Sequence, residues 1–200
     1  MFWDNVAWVY DIFADFINRK ANRRMCAVVA DQIEPTDEAL ECACGTGMLS
    51  AVIAGRCGSL TATDFSAKML KRAERKCRGF ANVRFELGNI LHLDYPDASF
   101  DVVVAANVIH LLDDPRKALR ELNRVCRGGG RIIIPTYMNR TEQGRTNRVS
   151  GLIGKAGADF KRQFTPAAYE KFFADAGYTD VQYTLCGGRI PCMVAVIRIP

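Results

Sequence analysis

The stretch Ala39-Leu40-Glu41-Cys42-Ala43-Cys44-Gly45-Thr46-Gly47-Met48 constrains this chain more than any other. An apolar run carrying one acid, Glu41, breaks into a turn containing Ala43, Gly45 and Gly47, and a helical segment opens near Met48. Such a strand, glycine turn and helix start aim unsatisfied N–H groups out of the turn, and side-chain-poor residues let a ligand approach the backbone. Paired glycines also serve tight turns and helix caps that bind nothing, so the downstream spacing carries the weight. Leu60-Thr61-Ala62-Thr63-Asp64 is a second strand-like run, ending in an acid about 20 residues after Glu41. That is the separation of a βαβ unit whose second strand presents a carboxylate to a ribose diol. Ser66 caps the following helix equally well, which leaves Asp64 for another task.

A nicotinamide dinucleotide is the first competitor for the turn. Its fingerprint wants a third glycine or alanine where this chain has Ser50. Its pyrophosphate also favours a helix N-terminus without a nearby acid, whereas Glu41 suits a ligand with a positive end. Glu41-x-Ala43-Cys44-Gly45-Thr46-Gly47 followed by Asp64-Phe65-Ser66-x-x-Met69-Leu70 resembles the class I S-adenosylmethionine-dependent methyltransferases. The resemblance is closest to the small-molecule group that includes the ubiquinone and menaquinone methyltransferases, and it spans most of the chain.

The resemblance implies a set of cofactor contacts. The turn of Glu41, Ala43, Gly45 and Gly47 would hold the methionine part, Asp64 the ribose hydroxyls, and Phe65 the adenine, with Met69 in the helix beyond. Asn89, where the family usually places aspartate, and Ile90 would meet the adenine edge; an amide carbonyl accepts the same hydrogen bond without charge. Tyr10, in Ala7-x-x-Tyr10-Asp11, would close over the methionine part or pack in the core. The implied cofactor is S-adenosyl-L-methionine, leaving as S-adenosyl-L-homocysteine, with a small-molecule acceptor and no metal.

Independently of the family, Phe100 to Ala106 reads as a strand buried on both faces. The crevice of an open parallel sheet lies beyond such strand ends, which puts Ala106, Asn107 and His110 near the transferred methyl. His110 would bind the acceptor, take its proton, or simply pack on a helix surface. Neither the Asn/Asp-Pro-Pro-aromatic run of base-modifying methyltransferases nor a Pro-Cys nucleophile in its expected loop is present; Pro191-Cys192 falls near the C-terminus.

The expected architecture is α/β: a Rossmann-like doubly wound, mostly parallel seven-stranded sheet with a C-terminal antiparallel strand pair and N-terminal cap helices. One domain is expected over 1–200, with cap helices over 1–34, a cofactor-binding core over 35–136, an acceptor lid over 137–163 and a closing helix and strand pair over 164–200. Periodicity predicts helices over Asn5 to Ile17 and Asn22 to Ile33. A helix begins at Asp114-Pro115 and stops before Gly128-Gly129-Gly130, Arg131 to Ile134 forms the fifth strand, and Pro135 ends its pairing. Thr165-Pro166 starts another helix, and two strands follow, Asp180 to Leu185 and Met193 to Ile199.

The 200 residues are about half apolar and carry a net charge of +5. They suffice for one substantial core. Asp4, Asp11 and Asp15 punctuate the first residues, which fits neither a signal peptide nor a membrane span, so a soluble cytoplasmic protein is expected. The eight cysteines form no C-x-x-C pair and read as free thiols, Cys42 and Cys44 sharing one face of the first strand. From Tyr137 to Gln163, Arg140, Arg145, Arg148, Lys155, Lys161 and Arg162 face only Glu142 and Asp159. This segment reads either as a clamp over an anionic acceptor or as a solvated basic face. Tyr137 and Arg140 join Tyr10 and His110 as candidates beside the acceptor. DNA is not an expected partner, and the absence of aromatic-basic interleaving disfavours RNA. Two other functions compete: a protein that senses S-adenosylmethionine without transferring its methyl, and, more remotely, a nicotinamide-dependent oxidoreductase.

Overall fold

The computed structural model describes residues 18–138 and 161–200. The helix expected near Asn22 is α1 (Arg19–Ala30), which buries Ala21, Met25 and Val29. The helix expected over Asn5 to Ile17, with Tyr10, lies outside the described residues, as do Arg140 and most of the basic segment. There follow β1 (Glu38–Cys42), α2 (Met48–Ala54), β2 (Ser59–Asp64), α3 (Ala67–Lys76), β3 (Val83–Leu87), β4 (Phe100–Ala105), α4 (Pro115–Val125), β5 (Cys126–Tyr137), α5 (Pro166–Ala174), β6 (Val181–Cys186) and β7 (Cys192–Arg198). The strands form one seven-stranded sheet in the order β3-β2-β1-β4-β5-β7-β6. Pairing is parallel from β3 to β5 and antiparallel at β7 and β6, as expected.

Local chemistry starts the helices where the sequence placed them. The Ser66 hydroxyl accepts the Met69 N–H at 3.3 Å ahead of α3. The Asp114 carboxylate accepts the Lys117 N–H at 2.9 Å ahead of Pro115, and the Thr165 hydroxyl accepts the Ala168 N–H at 3.2 Å ahead of Pro166. Each cap satisfies an N–H the helix cannot, and proline at the first position loses nothing.

Helices cover both sheet faces. Leu40, Val103 and Ile132 pack with Leu119, Leu122, Tyr169 and Phe173 under α4 and α5. Ala39, Val102, Val104 and Ile133 pack with Met25, Val29 and Ile53 under α1 and α2. Each large side chain so buried contributes about 1.5–3 kcal/mol, which explains the unbroken apolar runs of the central strands.

Three expectations are corrected. Pro135 does not end β5. Its carbonyl accepts the Asn107 N–H at 2.7 Å, so its missing donor also lies on the β4 side, at the last residue of β4, and not on the β7 side. Pairing with β7 continues through Tyr137, opposite Cys192. The triple glycine is likewise part of β5: Phe100 pairs with Cys126 and Val102 with Arg131, so the glycines absorb a bulge. Cys42 and Cys44 do not share a face either. Cys42 packs on the α4 and α5 side and Cys44 on the α1 to α3 side, because Ala43 between them turns left-handed at φ 55° and breaks the strand alternation.

The end of the sheet away from those turns is held by charge. Arg131 donates to Asp37 at 2.6 Å, and Arg127 reaches Asp101 at 2.9 Å and Glu38 at 2.5 Å. No helix among the described residues is long and apolar enough to cross a membrane. Asp37 and Arg131 are both largely buried, so removing one strands the other's charge. Asp37→Ala is expected to cost about 3 kcal/mol and to lower Tm by about 9 °C in calorimetry; an unchanged Tm would show that the pair carries no stability.

Candidate cofactor and acceptor site

The chain runs from β1 outward to β2 and β3, then returns to the other side of β1 as β4. Connections therefore diverge at the C-terminal ends of β1 and β4, leaving a crevice between them. A cavity of about 400 Å³ opens there, and its walls include Ala43, Gly45, Asp64, Phe65, Asn89 and Asn107. Met69, Ile90 and Ala106 also line it. The turns after four successive strands thus converge on one space.

Asp64 is the hinge of this arrangement. Its Oδ2 accepts the Gly45 N–H and its Oδ1 the Ser66 N–H, each at 2.9 Å, so one buried carboxylate ties the turn after β1 to the turn after β2. It is therefore less free than the sequence implied. A carboxylate offers about four lone-pair sites, so these two bonds do not by themselves exhaust it. Phe65 stands beside it, 47% exposed over the cavity.

The two glycines have different tasks. Gly45 has φ +57° and nothing within 4 Å of the position a Cβ would take, an open cradle at the backbone. Gly47 does not line the cavity; a Cβ there would lie 2.8 Å from the Ala73 backbone, so Gly47 lets α2 sit against α3. Ala43 and Asn107 also have positive φ, 55° and 53°. Asparagine tolerates this conformation, and alanine in it carries strain of roughly 1–2 kcal/mol.

Glu41 departs most from its expected setting. It is 2% exposed, does not line the cavity, and accepts the Ser50 hydroxyl at 2.5 Å. Burial, reinforced by the charge of Asp64, pushes its carboxyl up to about 8 despite that hydrogen bond. At neutral pH it is mostly the protonated acid rather than a counter-charge. Ser50, the residue that weakened the dinucleotide reading, is its partner; nothing in the linear spacing marked that pair.

Asn89 lines the cavity, but its side-chain carbonyl also accepts the Leu91 N–H at 3.0 Å. Asn107 is pinned by accepting the Tyr137 N–H at 3.0 Å. Tyr137 itself turns away, its hydroxyl donating to Asn22 at 2.7 Å. His110 lies in a 3-10 turn, Ile109–Leu111, buried and outside the cavity lining. Burial lowers its pKa to about 4, so the imidazole is neutral. Sequence reasoning passed over Gly88, Val108, Leu111 and Leu112, which do line the cavity. The last three read as ordinary core, since an apolar cavity wall and a packed core have the same composition.

Of the basic segment, Lys161 and Arg162 are described. Lys161 lies 3.4 Å from Asp113, and Arg162 donates to the carbonyls of Leu112 at 2.5 Å and Asp113 at 3.2 Å. These two hold the turn behind the cavity. Burial raises all eight thiols above their ordinary range, which leaves none poised as a nucleophile. No metal-ligand cluster occurs among the described residues.

Residues 40–134 match a family model described as a methyltransferase domain. Over that stretch the chain is similar to S-adenosylmethionine-dependent methyltransferases, which supports S-adenosyl-L-methionine as its cofactor. The chain is similar to a demethylmenaquinone methyltransferase of Paenarthrobacter aurescens, 29% identical over 98% of this chain and 83% of the relative. The fold is shared with a methyltransferase of Thermotoga maritima at TM-score 0.75 and 18% identity, covering 98% of this chain and 99% of that one. It is also shared with the N-methyltransferase NodS of Bradyrhizobium japonicum, solved with S-adenosyl-L-homocysteine, at TM-score 0.70 and 18% identity over 91% and 87% of the two chains.

Two outcomes follow from the geometry. Gly47→Ala is expected to destabilise by about 2–3 kcal/mol, from overlap with Ala73 and the αL backbone. Gly45→Ala is expected to cost about 1 kcal/mol while weakening cofactor binding several-fold; equal effects of the two in denaturation and calorimetric titration would refute the division. Glu41 binds its proton more tightly folded than unfolded, so its contribution is complete below the unfolded value near 4.5 and is lost as pH rises through about 8. His110, depressed to about 4, contributes in the opposite direction below about 6.5. Stability without cofactor should therefore fall by about 2 kcal/mol between pH 6.5 and 8. Glu41→Gln should flatten that fall; the same slope in the variant would contradict the assignment.

Proposed function

We propose that the protein transfers the methyl group of S-adenosylmethionine to a small, largely apolar acceptor beyond the end of β4. Asp64 would hold the ribose hydroxyls, Phe65 the adenine face, and Asn89 with Ile90 the adenine edge. Ala43 and Gly45 admit the methionine part against the backbone. The observation that carries this reading is the convergence of Gly45, Asp64, Phe65 and Asn89 on one cavity whose wall beyond β4 is Ala106, Asn107, Val108, Leu111 and Leu112, apolar except for Asn107, whose side chain accepts the Tyr137 N–H.

That wall favours an apolar acceptor over an anionic one. The described members of the basic segment serve the turn at Leu112 and Asp113. The relative named demethylmenaquinone methyltransferase supports a quinone-type ring as the acceptor class. When bound, the cofactor supplies a methyl already activated on a sulfonium. The chain's own residues then have only to fix the acceptor against it and exclude water, which can supply much of the acceleration. His110, buried and neutral, is a packing residue of the turn in this reading.

Asp64→Ala is expected to raise the cofactor dissociation constant at least about tenfold, because it removes charge-assisted hydrogen bonds to the ribose and the tie to Gly45; unchanged binding in calorimetry would contradict the ribose role. Incubation with methyl-labelled cofactor and a panel of reduced quinones and phenols should yield S-adenosylhomocysteine and labelled product. Tight binding without turnover on any acceptor would instead mark a sensing protein.

A further inference from the structure

Charge is divided unequally between the two helical layers. α1 carries no acid and α3 only Glu74. Arg19, Lys20, Arg23 and Arg24 on α1 and Lys68 and Lys71 on α3 are all exposed. None takes part in the ion pairs found among the described residues, whereas the opposite layer balances its charges through Arg120 with Asp114, Arg124 with Glu121, and Lys171 with Asp175. A solvated face that merely keeps a protein soluble mixes both signs, as that opposite layer does.

These six cations also share one end of the molecule. α3 begins directly after Asp64 to Ser66, so Lys68 and Lys71 lie in its half nearest the cavity. The start of α1 is tied to the β6–β7 turn by two hydrogen bonds between Asn18 and Ile190, at 2.9 and 3.0 Å. That turn adjoins Cys192, opposite Tyr137 at the cavity end of β5. Two exposed aliphatic side chains mark the same end on the two sheet edges: Leu87, the last residue of β3, 67% exposed, and Leu185, next to last in β6, 54% exposed.

We propose that the cavity end of the sheet docks on a bilayer surface containing anionic phospholipids, with α1 and α3 supplying the attraction and Leu87 and Leu185 entering the headgroup layer. Clustered lysine and arginine draw a protein to such a surface, and neighbouring aliphatic side chains add burial at the boundary. A nucleic acid is the weaker fit, since among the described residues the large exposed apolar side chains outside the cofactor cradle at this end, Leu87 and Leu185, are aliphatic and offer no ring for base stacking. Docking would turn the cavity mouth toward the phase in which an apolar acceptor is dissolved.

The full chain, without cofactor or acceptor, is sedimented with vesicles of phosphatidylcholine and with vesicles of phosphatidylcholine mixed two to one with phosphatidylglycerol. Binding to the mixed vesicles alone, lost at high salt, is expected. Joint Arg19→Glu, Arg23→Glu, Lys68→Glu and Lys71→Glu substitution should weaken it by at least about a hundredfold, with circular dichroism and S-adenosylhomocysteine affinity unchanged to show an intact fold. Leu87→Ser with Leu185→Ser should weaken it without altering net charge. Equal binding to neutral vesicles, no binding at low salt, wild-type binding by the folded charge-reversed protein, or tighter binding to an RNA duplex would each overturn the proposal. Because neither cofactor nor acceptor is present, such a failure leaves the methyl-transfer reading standing.

Discussion

The carboxylate of Asp64 connects what would otherwise be two independent turns. By accepting the N–H groups of Gly45 and Ser66, it fixes the spacing between the turn after β1 and the start of α3. Asp64 also lines the cavity between them. Burial of a charged group is costly unless its hydrogen bonds are satisfied, and these two backbone donors meet that requirement within the loops it joins. The ligand site is therefore built by the same interaction that closes the core over β1 and β2.

The molecule separates rigidity from adaptability along the strand direction. At one end Arg127 and Arg131 bridge β5 to the acids around β1 and β4. At the other, Ala43, Gly45, Gly47 and Asn107 all adopt positive φ within the turns that follow β1 and β4. Left-handed backbone at four positions is unfavourable for most residue types, and its concentration beside the cavity matches a site held open for a ligand rather than filled by side chains. Glu41 belongs to neither group: its proton, its serine partner and its burial place it in the packing beneath the cradle.

Features decided within a few residues were legible in the sequence. The acid-tipped strands, the glycine turn, the Ser66, Asp114 and Thr165 caps, and the closing strand pair each depend on local chemistry and stand where expected. Features decided by a distant partner were not. Pro135 remains in a strand because its missing donor lies on the side where β4 ends, while pairing with β7 continues. Cys44 changes face because Ala43 turns left-handed, and Gly47 is a contact with Ala73 rather than with a ligand. Val108, Leu111 and Leu112 escaped notice because an apolar wall becomes a binding surface only when the residues opposite are absent.

A crystal structure with S-adenosyl-L-homocysteine bound tests the central claim most directly. The account requires the ribose hydroxyls within hydrogen-bonding distance of the Asp64 carboxylate, the adenine against Phe65, and the Asp64 bonds to Gly45 and Ser66 retained. A ribose lying elsewhere in the cavity, or Asp64 swung away from Gly45, would contradict it.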